Sequence, residues 1–429
     1  MLYNQTNLNR SRVDLPVVQR IQIFLITAIC VVLFIAMCSG PRQRVVIAPP
    51  SAIDMNARGA PFDALPTVTA APALAPANAT PAPLVAVAEP VTSPVPDVPT
   101  SEPISTLPAN QLSALIDDHM NGISNLGWFQ GSVLVARGND VILSKGYGYA
   151  DSGKQLRNGP QTRFRIASLS KQFTAAAIML LYARGQLNLH DSICNYYSPC
   201  PSAWQSISIH HLLTHTAGLP NYTDFPDYEA TQMVATTPDE LIARFRSQPL
   251  LFEPGTSYMY ENSDYVLLGK IIENVSGQSY ADFMRTALFQ PLKMTSTDTS
   301  YAPDVAIGYQ QIGIPAAPLD TSTLFAAGSI NSTVEDMYRW IQALANGSVL
   351  QPAQRDALWT PYLNNYGYGW QIGEIEGHRK VSHPGMIDGY ASAILYVPDA
   401  NVTVIVLCNL GSADAIGVAN HLATLVLTN

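Results

Sequence analysis

Cysteine and histidine are scarce in this chain, 5 and 8 among 429 residues. No Cys-x-x-Cys pair occurs, which argues against a thiolate zinc module. Cations are few as well: 23 Lys and Arg stand against 32 Asp and Glu, for a formal net charge of −9. Binding along a phosphate backbone rests on clustered cations, so a nucleic-acid partner is not expected. Charged residues of both signs make up only 13%, against roughly 25% in an ordinary soluble domain. A shortage of that size is typical of a chain that is partly membrane segment or linker. Neither a Gly-x-Ser-x-Gly elbow nor a Gly-x-x-x-x-Gly-Lys phosphate loop is present. No cofactor, metal or protein partner is indicated.

What is present is organised in four stretches. Residues 1–20 are polar, with Arg10, Arg12 and Arg20 outweighing Asp14. Residues 21–38 are apolar except for Gln22 and Thr27. At about 1.5 Å per residue, a helix of that length nearly spans a hydrocarbon core of about 30 Å. A cleaved signal peptide is the alternative, but its apolar core usually runs about 7–15 residues and ends in small residues. Here the run is longer, and Ala36-Met37-Cys38 is a poor cleavage site. The expectation is therefore a membrane anchor at 21–38 with the globular part that follows outside the cytoplasm, secretion after cleavage being the alternative. Residues 39–108 hold 15 of the chain's 32 Pro, which biases them to an extended tether without a core. Residues 109–429 have globular composition throughout.

Within that last stretch, 131–136 and 140–144 alternate like strands around Gly138-Asn139, the mark of a β-hairpin. A helix is expected from Ser168 to about Arg184, ended by Gly185. The middle, about 186–300, reads mostly helical, with an amphipathic stretch at 264–275. Two more strands, 391–397 and 402–407, precede a closing helix at about 412–427. Strands at both ends with helices between them suggest one sheet built from both chain ends and a helical insertion. Cys194 and Cys200 lie in a Pro/Tyr loop and can form a local disulfide in an oxidising compartment or remain two thiols. Cys408 ends an apolar strand and reads as a small buried hydrophobe.

Three short patterns carry candidate chemistry: Ser168-Leu169-Ser170-Lys171, Tyr260-Glu261-Asn262 and His383-Pro384-Gly385. Each is weak alone, and Tyr362-Leu363-Asn364 is a second Tyr-x-Asn. A Ser opening a helix and a Lys three residues on share one helix face. A hydroxyl attacks poorly unless a nearby base takes its proton, and a buried amine with its charged form disfavoured can do so. The bland alternative is a helix-capping Ser and a solvated Lys. Against it, Lys171 is one of six lysines, and its helix is apolar along most of its length.

Taken with their surroundings, these patterns resemble the class C β-lactamase and penicillin-binding-protein-like serine hydrolases over residues from about 110 to 426. Phe164-Arg165-Ile166-Ala167 leads into the Ser-x-x-Lys as in that family. His211-Leu212-Leu213-Thr214-His215-Thr216-Ala217-Gly218-Leu219-Pro220 is similar to its signature segment. Glu253-Pro254-Gly255, Leu267-Leu268-Gly269 and Ala326-Ala327-Gly328 also match. The resemblance implies an α+β, β-lactamase/transpeptidase-like fold, an antiparallel sheet flanked by helices with a helical insertion subdomain. It implies Ser168 as acyl-accepting nucleophile, Lys171 as its proton-shuttling partner, and Tyr260 as general base with its phenolate favoured by the Lys171 charge. Asn262 would hydrogen-bond the Lys171 amine and the substrate. His383 and Gly385 would lie on the strand edging the site, and the Met386 N–H would complete an oxyanion hole with that of Ser168. The substrate would be a small-molecule or peptide acyl compound.

The chain departs from relatives acting on β-lactams or D-Ala peptides, which often carry Lys-Thr-Gly or His-Thr-Gly followed by a hydroxyl residue. Pro384 and Met386 have no side-chain donor to hold a substrate carboxylate. Esterase or peptidase activity on a less anionic substrate is therefore expected ahead of D,D-carboxypeptidase, penicillin-binding or β-lactamase activity. A non-catalytic protein holding cell-wall material or lipid in the same cleft is the alternative of another class. His211 and His215 form an i,i+4 pair, but no His-Glu-x-x-His pattern accompanies them, and metal binding is not expected. Asp388-Gly389 reads as a turn, Trp370 as a core aromatic, and Asn221 and Asn401 as Asn-x-Ser/Thr sequons.

Overall fold

The structure, a computed structural model, describes residues 107–299 and 304–429. The polar segment 1–20, the apolar run 21–38 and the linker up to residue 106 lie outside the described residues. Among the described residues no helix is long and apolar enough to cross a membrane.

Apolar runs at both ends of the globular stretch pair into one antiparallel sheet of six strands. In chain order these are β1 (Gly131–Arg137), β2 (Asp140–Tyr147), β3 (Gln371–Ile375), β4 (His378–Ile387), β5 (Tyr390–Val397) and β6 (Val402–Cys408). Their spatial order is β2-β1-β6-β5-β4-β3, so the first hairpin joins the last through β1 and β6. The four expected strands are present. The sequence reading did not anticipate β3, and it placed β4 only through the resemblance. The Asp388-Gly389 turn joins β4 to β5, and its glycine is needed: φ is +81°, and a Cβ would come within 2.7 Å of Ala316 Cβ.

Among the described residues five helices are long: α1 (Ala109–Asn125), α2 (Ser170–Ala183), α3 (Ser263–Ser276), α4 (Val334–Ala345) and α5 (Ala415–Thr428). The closing helix starts at Ala415 rather than near 412 because the Asp414 side chain accepts the Gly417 N–H there. On the outer face, Leu112, Ile116 and Met120 of α1 and Leu422 and Val426 of α5 cover Val133, Val135, Leu395, Val404 and Val406. The alternate residues Leu134, Ile394, Ile405 and Leu407 face the helical insertion on the inner side. Coverage on both faces explains why β5 and β6 are apolar at nearly every position rather than at alternate ones.

Helix α2 runs through the middle of the inner core. From Ser170 to Met179 every one of its side chains is buried, so it is enclosed on all sides rather than packed on one face. A short 3₁₀ turn, Ala167–Leu169, leads into it. Cys194 and Cys200 form a disulfide in the insertion, and Cys408 is buried at the end of β6.

Candidate active site

Ser168 sits on the 3₁₀ turn that opens α2, and close packing fixes that turn. Ala167, just before it, is held at φ +50°, a left-handed conformation that an L-residue adopts at a cost of about 1–3 kcal/mol. Ile166 anchors the turn from behind: its N–H donates to Ile330 O at 3.0 Å, and its carbonyl accepts from Ser392 Oγ at 2.8 Å. Gly385 of β4 packs directly against this turn. A Cβ there would lie 2.4 Å from Ser392 Oγ, 2.6 Å from Ile166 O and 3.1 Å from the Ser168 nitrogen. The glycine of His-Pro-Gly is thus a requirement of close approach.

One turn along α2, Lys171 is fully buried. Its Nζ donates to Asn262 Oδ1 at 2.8 Å and to Ala327 O at 3.0 Å, and it lies 3.2 Å from Ser168 Oγ. Burial lowers its pKa to about 7, with the Asp264 charge partly opposing the shift. A neutral amine has two N–H groups and one lone pair. With the two protons on Asn262 and Ala327, the lone pair is left for the Ser168 hydroxyl.

Tyr260 reaches the same hydroxyl through a hydrogen bond to Ser168. The Lys171 ammonium position lies 4.9 Å from its ring centre. Burial pushes the Tyr260 phenol upward from its ordinary value, more than the Ser168 hydrogen bond lowers it. The expectation of a favoured phenolate is therefore corrected: desolvation opposes a buried anion here, and Lys171 is the group whose proton is easily lost near neutral pH. Asn262 is oriented by two further bonds, its N–H to Asn221 Oδ1 at 3.1 Å and its Nδ2 to Thr223 Oγ1 at 3.2 Å. Asn221 and Thr223, read in the sequence as a sequon, thus serve to hold Asn262.

His383 is brought to the cleft wall, but both ring nitrogens face protein. Nδ1 lies 2.6 Å from Pro384 O and Nε2 lies 2.9 Å from Tyr366 Oη. A carbonyl only accepts, so Nδ1 carries the hydrogen and Nε2 accepts from the tyrosine. Burial lowers the imidazole pKa to about 3, so it is neutral. Met386 is 69% exposed beside the cleft mouth. Of the Tyr362-Leu363-Asn364 match, the tyrosine is stacked on Tyr368 and against His210, away from Ser168, while Asn364 reaches the cleft wall. Trp370 is fully buried in the core. His211 and His215 are engaged separately, His211 in the Ser208 capping box and His215 against Asp264. Among the described residues no group of three or more His, Cys, Asp or Glu is disposed to hold a metal ion.

The sequence reading missed Tyr366, which contacts His383, His215 and Tyr260 at once. It also missed Tyr258, Gln371 and Asp414, which line the cleft. The one signal for Tyr366 was its position beside the Gly367-Tyr368-Gly369 run. The cleft above Ser168 has a volume of about 900 Å³, and among the described residues no Lys or Arg lines it.

Comparison with known proteins accords with this geometry. The beta-lactamase family model matches residues 112–427. Penicillin-binding protein 4* of Bacillus subtilis (strain 168) is 32% identical over 311 residues, 66% of this chain and 68% of that protein. Protein flp of Staphylococcus aureus (strain COL) is 31% identical over 317 residues, 70% of this chain and 63% of flp, so the chain spans less than two thirds of that relative. The octameric penicillin-binding protein homologue from Pyrococcus abyssi superposes with a TM-score of 0.67 at 28% identity, over 75% of this chain and 78% of that one. The fold is β-lactamase/transpeptidase-like, and the chain belongs to the beta-lactamase family of serine hydrolases.

Proposed function

We propose that Ser168 forms an acyl-enzyme with a neutral or weakly anionic ester, amide or peptide, with Lys171 as the base and Tyr260 as the proton relay. The observation that carries this is the buried Lys171 amine, 3.2 Å from Ser168 Oγ with its other donors already taken. Ser168 Oγ attacks the substrate carbonyl as its proton passes to the Lys171 lone pair. The resulting oxyanion is held by backbone N–H groups. Proline has no N–H for a sheet ladder, so the Pro384 nitrogen belongs on the side of β4 away from β5. Two residues on, the Met386 N–H falls on the same edge of β4, the one that has no strand beyond Ser382, which supports it as partner to the Ser168 N–H. The proton then returns through Tyr260 to the leaving group, the carbonyl–leaving-group bond breaks, and an ester on Ser168 remains. Water attacks that ester by the same path in reverse.

The cleft's composition supports the less anionic substrates. Among its lining residues Asp414 is the carboxylate, and a cation to pair a substrate carboxylate is missing from the set. Beside Gly385, Pro384 and Met386 offer no hydroxyl. D,D-carboxypeptidase or β-lactamase turnover is accordingly the second reading. The Cys194–Cys200 disulfide favours an oxidising, extracytoplasmic site of action. We place the domain there, tethered by 39–108 to a membrane segment at 21–38 or secreted without it.

The test is an intact mass of the full chain after treatment with a serine-reactive phosphonate, beside the Ser168→Ala variant. A single adduct absent from the variant is expected. Folded wild-type protein that takes no adduct would mean the cleft binds without reacting.

A further inference from the structure

The turn that carries Ser168 is strained, and two hydroxyls that the acylation scheme does not use hold it. Ala167 is buried at φ +50°, where a glycine would sit without cost and an alanine does not. Left to itself such a residue relaxes to a negative φ, and that change would turn Ser168 away from Lys171 and from β4. Ser392 of β5 is buried directly across from Gly385 in the strand register. Its Oγ donates to Ile166 O at 2.8 Å, and the same carbonyl accepts the Leu169 N–H at 3.2 Å. The other side of the turn is closed through Ile330. Its carbonyl accepts the Ile166 N–H at 3.0 Å, and its N–H donates to Ser170 Oγ at 3.1 Å. Ser170 is fully buried at the first position of α2. Residues 166 and 170 are thus both tied down, with Ala167 and Ser168 between them.

We propose that Ser392 and Ser170 are positioning residues, a two-sided clamp that keeps the strained Ala167 turn in the form that presents Ser168 to Lys171. This rests on the acyl-enzyme reading above and adds to it what holds the nucleophile in place. Gly385 gains a second purpose from the clamp. A Cβ there would lie 2.4 Å from Ser392 Oγ, so the glycine clears the path by which the hydroxyl reaches Ile166. Ser392 also lines the cleft, but its proton is committed to the Ile166 carbonyl rather than to a substrate. Losing one such bond is expected to lower the fraction of molecules with Ser168 in place by about tenfold, the order of one net hydrogen bond. Reactivity then falls by that fraction, while the cleft that receives the substrate keeps its shape.

The experiment measures phosphonate labelling of the full chain against phosphonate concentration, giving a limiting rate and a half-saturating concentration. Wild type, Ser392→Ala and Ser170→Ala are compared, each with and without Ala167→Gly, with a thermal melt of every variant. Either serine variant is expected to lose about tenfold in limiting rate with its half-saturating concentration unchanged. Adding Ala167→Gly should restore most of that loss, because glycine takes a positive φ freely, and it should help these variants more than it helps wild type. A folded Ser392→Ala protein with the wild-type limiting rate would overturn the proposal. So would a loss that Ala167→Gly does not repair, or a change confined to the half-saturating concentration, which would make Ser392 a substrate contact instead. Failure of both serine variants to fold, even with Ala167→Gly, would overturn it as well, since the hydroxyls would then serve the fold alone. Wild-type protein that does not label at all would instead overturn the acyl-enzyme reading.

Discussion

The two sides of the sheet are built from the same apolar strands but do different work. On the outer side, α1 and α5 close over valines, leucines and alanines with no buried charge among them. On the inner side, the core also holds Lys171, Gln172, Thr174, His215, Glu261 and Asp264, all buried and polar. Each polar group inside needs a partner, and supplying one fixes its position. The outer core therefore supplies stability without chemistry, and the inner core accepts desolvation in order to hold an amine and a hydroxyl 3.2 Å apart. The contrast teaches that stability and activity should separate by face.

The strongest way to break the comparison is Lys171→Met. Removing the base is expected to slow phosphonate labelling by roughly 10²–10⁴-fold, measured by stopped-flow or intact mass over time. The same variant should gain stability, because an apolar side chain replaces a buried amine. The sign follows from its lowered pKa: between about 7 and 10.5 the unfolded chain binds a proton that the folded one does not, so wild-type stability rises with pH there. Denaturant titrations of Lys171→Met should lose that rise, and an unchanged slope would place the Lys171 pKa elsewhere. Gly385→Ala comes next. Its Cβ would meet Ile166 O at 2.6 Å, moving β4 off the Ser168 turn. Labelling should fall about 10²-fold, as expected for a misplacement of about 1 Å, with a smaller loss of stability. The mildest effect on chemistry, and the sharpest on the comparison, is Ile116→Ala in the outer core. It should cost about 2–5 kcal/mol in denaturant unfolding while the labelling rate at 25 °C stays within twofold. A large fall in rate would show that the faces are not separable.

How much of this was readable from the chain depends on the range of the contact. The Ser-x-x-Lys turn, the Tyr-x-Asn and the His-Pro-Gly are local patterns, and the structure gathers all three around one cleft. The hairpins 131–147 and 390–408 announced themselves by apolar alternation around Gly138-Asn139 and Pro398-Asp399-Ala400. Strand β3 did not, because an edge strand is shielded by residues such as Gln371 and Glu374 that weaken the pattern. The hold of Asn221 on Asn262 spans 41 residues, and that of His215 on Asp264 spans 49. Both contacts arise from packing, which no local spacing encodes. The ionisation of Tyr260 was misjudged for the same reason: a neighbouring cation was visible in the motif, and the depth of burial was not.

Strand β4 has neighbours on both sides only as far as Ser382; from His383 to Ile387 it pairs with β5 alone. The opening that admits a substrate is thus also a bare sheet edge, the kind of surface onto which any extended chain can zip, including a misfolded copy of this one. Pro384 sits in that gap and deletes a donor from it. An intruding strand finds one fewer hydrogen bond and gains little by pairing, whereas a compact acyl group needs only the single N–H that follows. The proline that departs from the family's usual hydroxyl therefore leaves that edge one donor short.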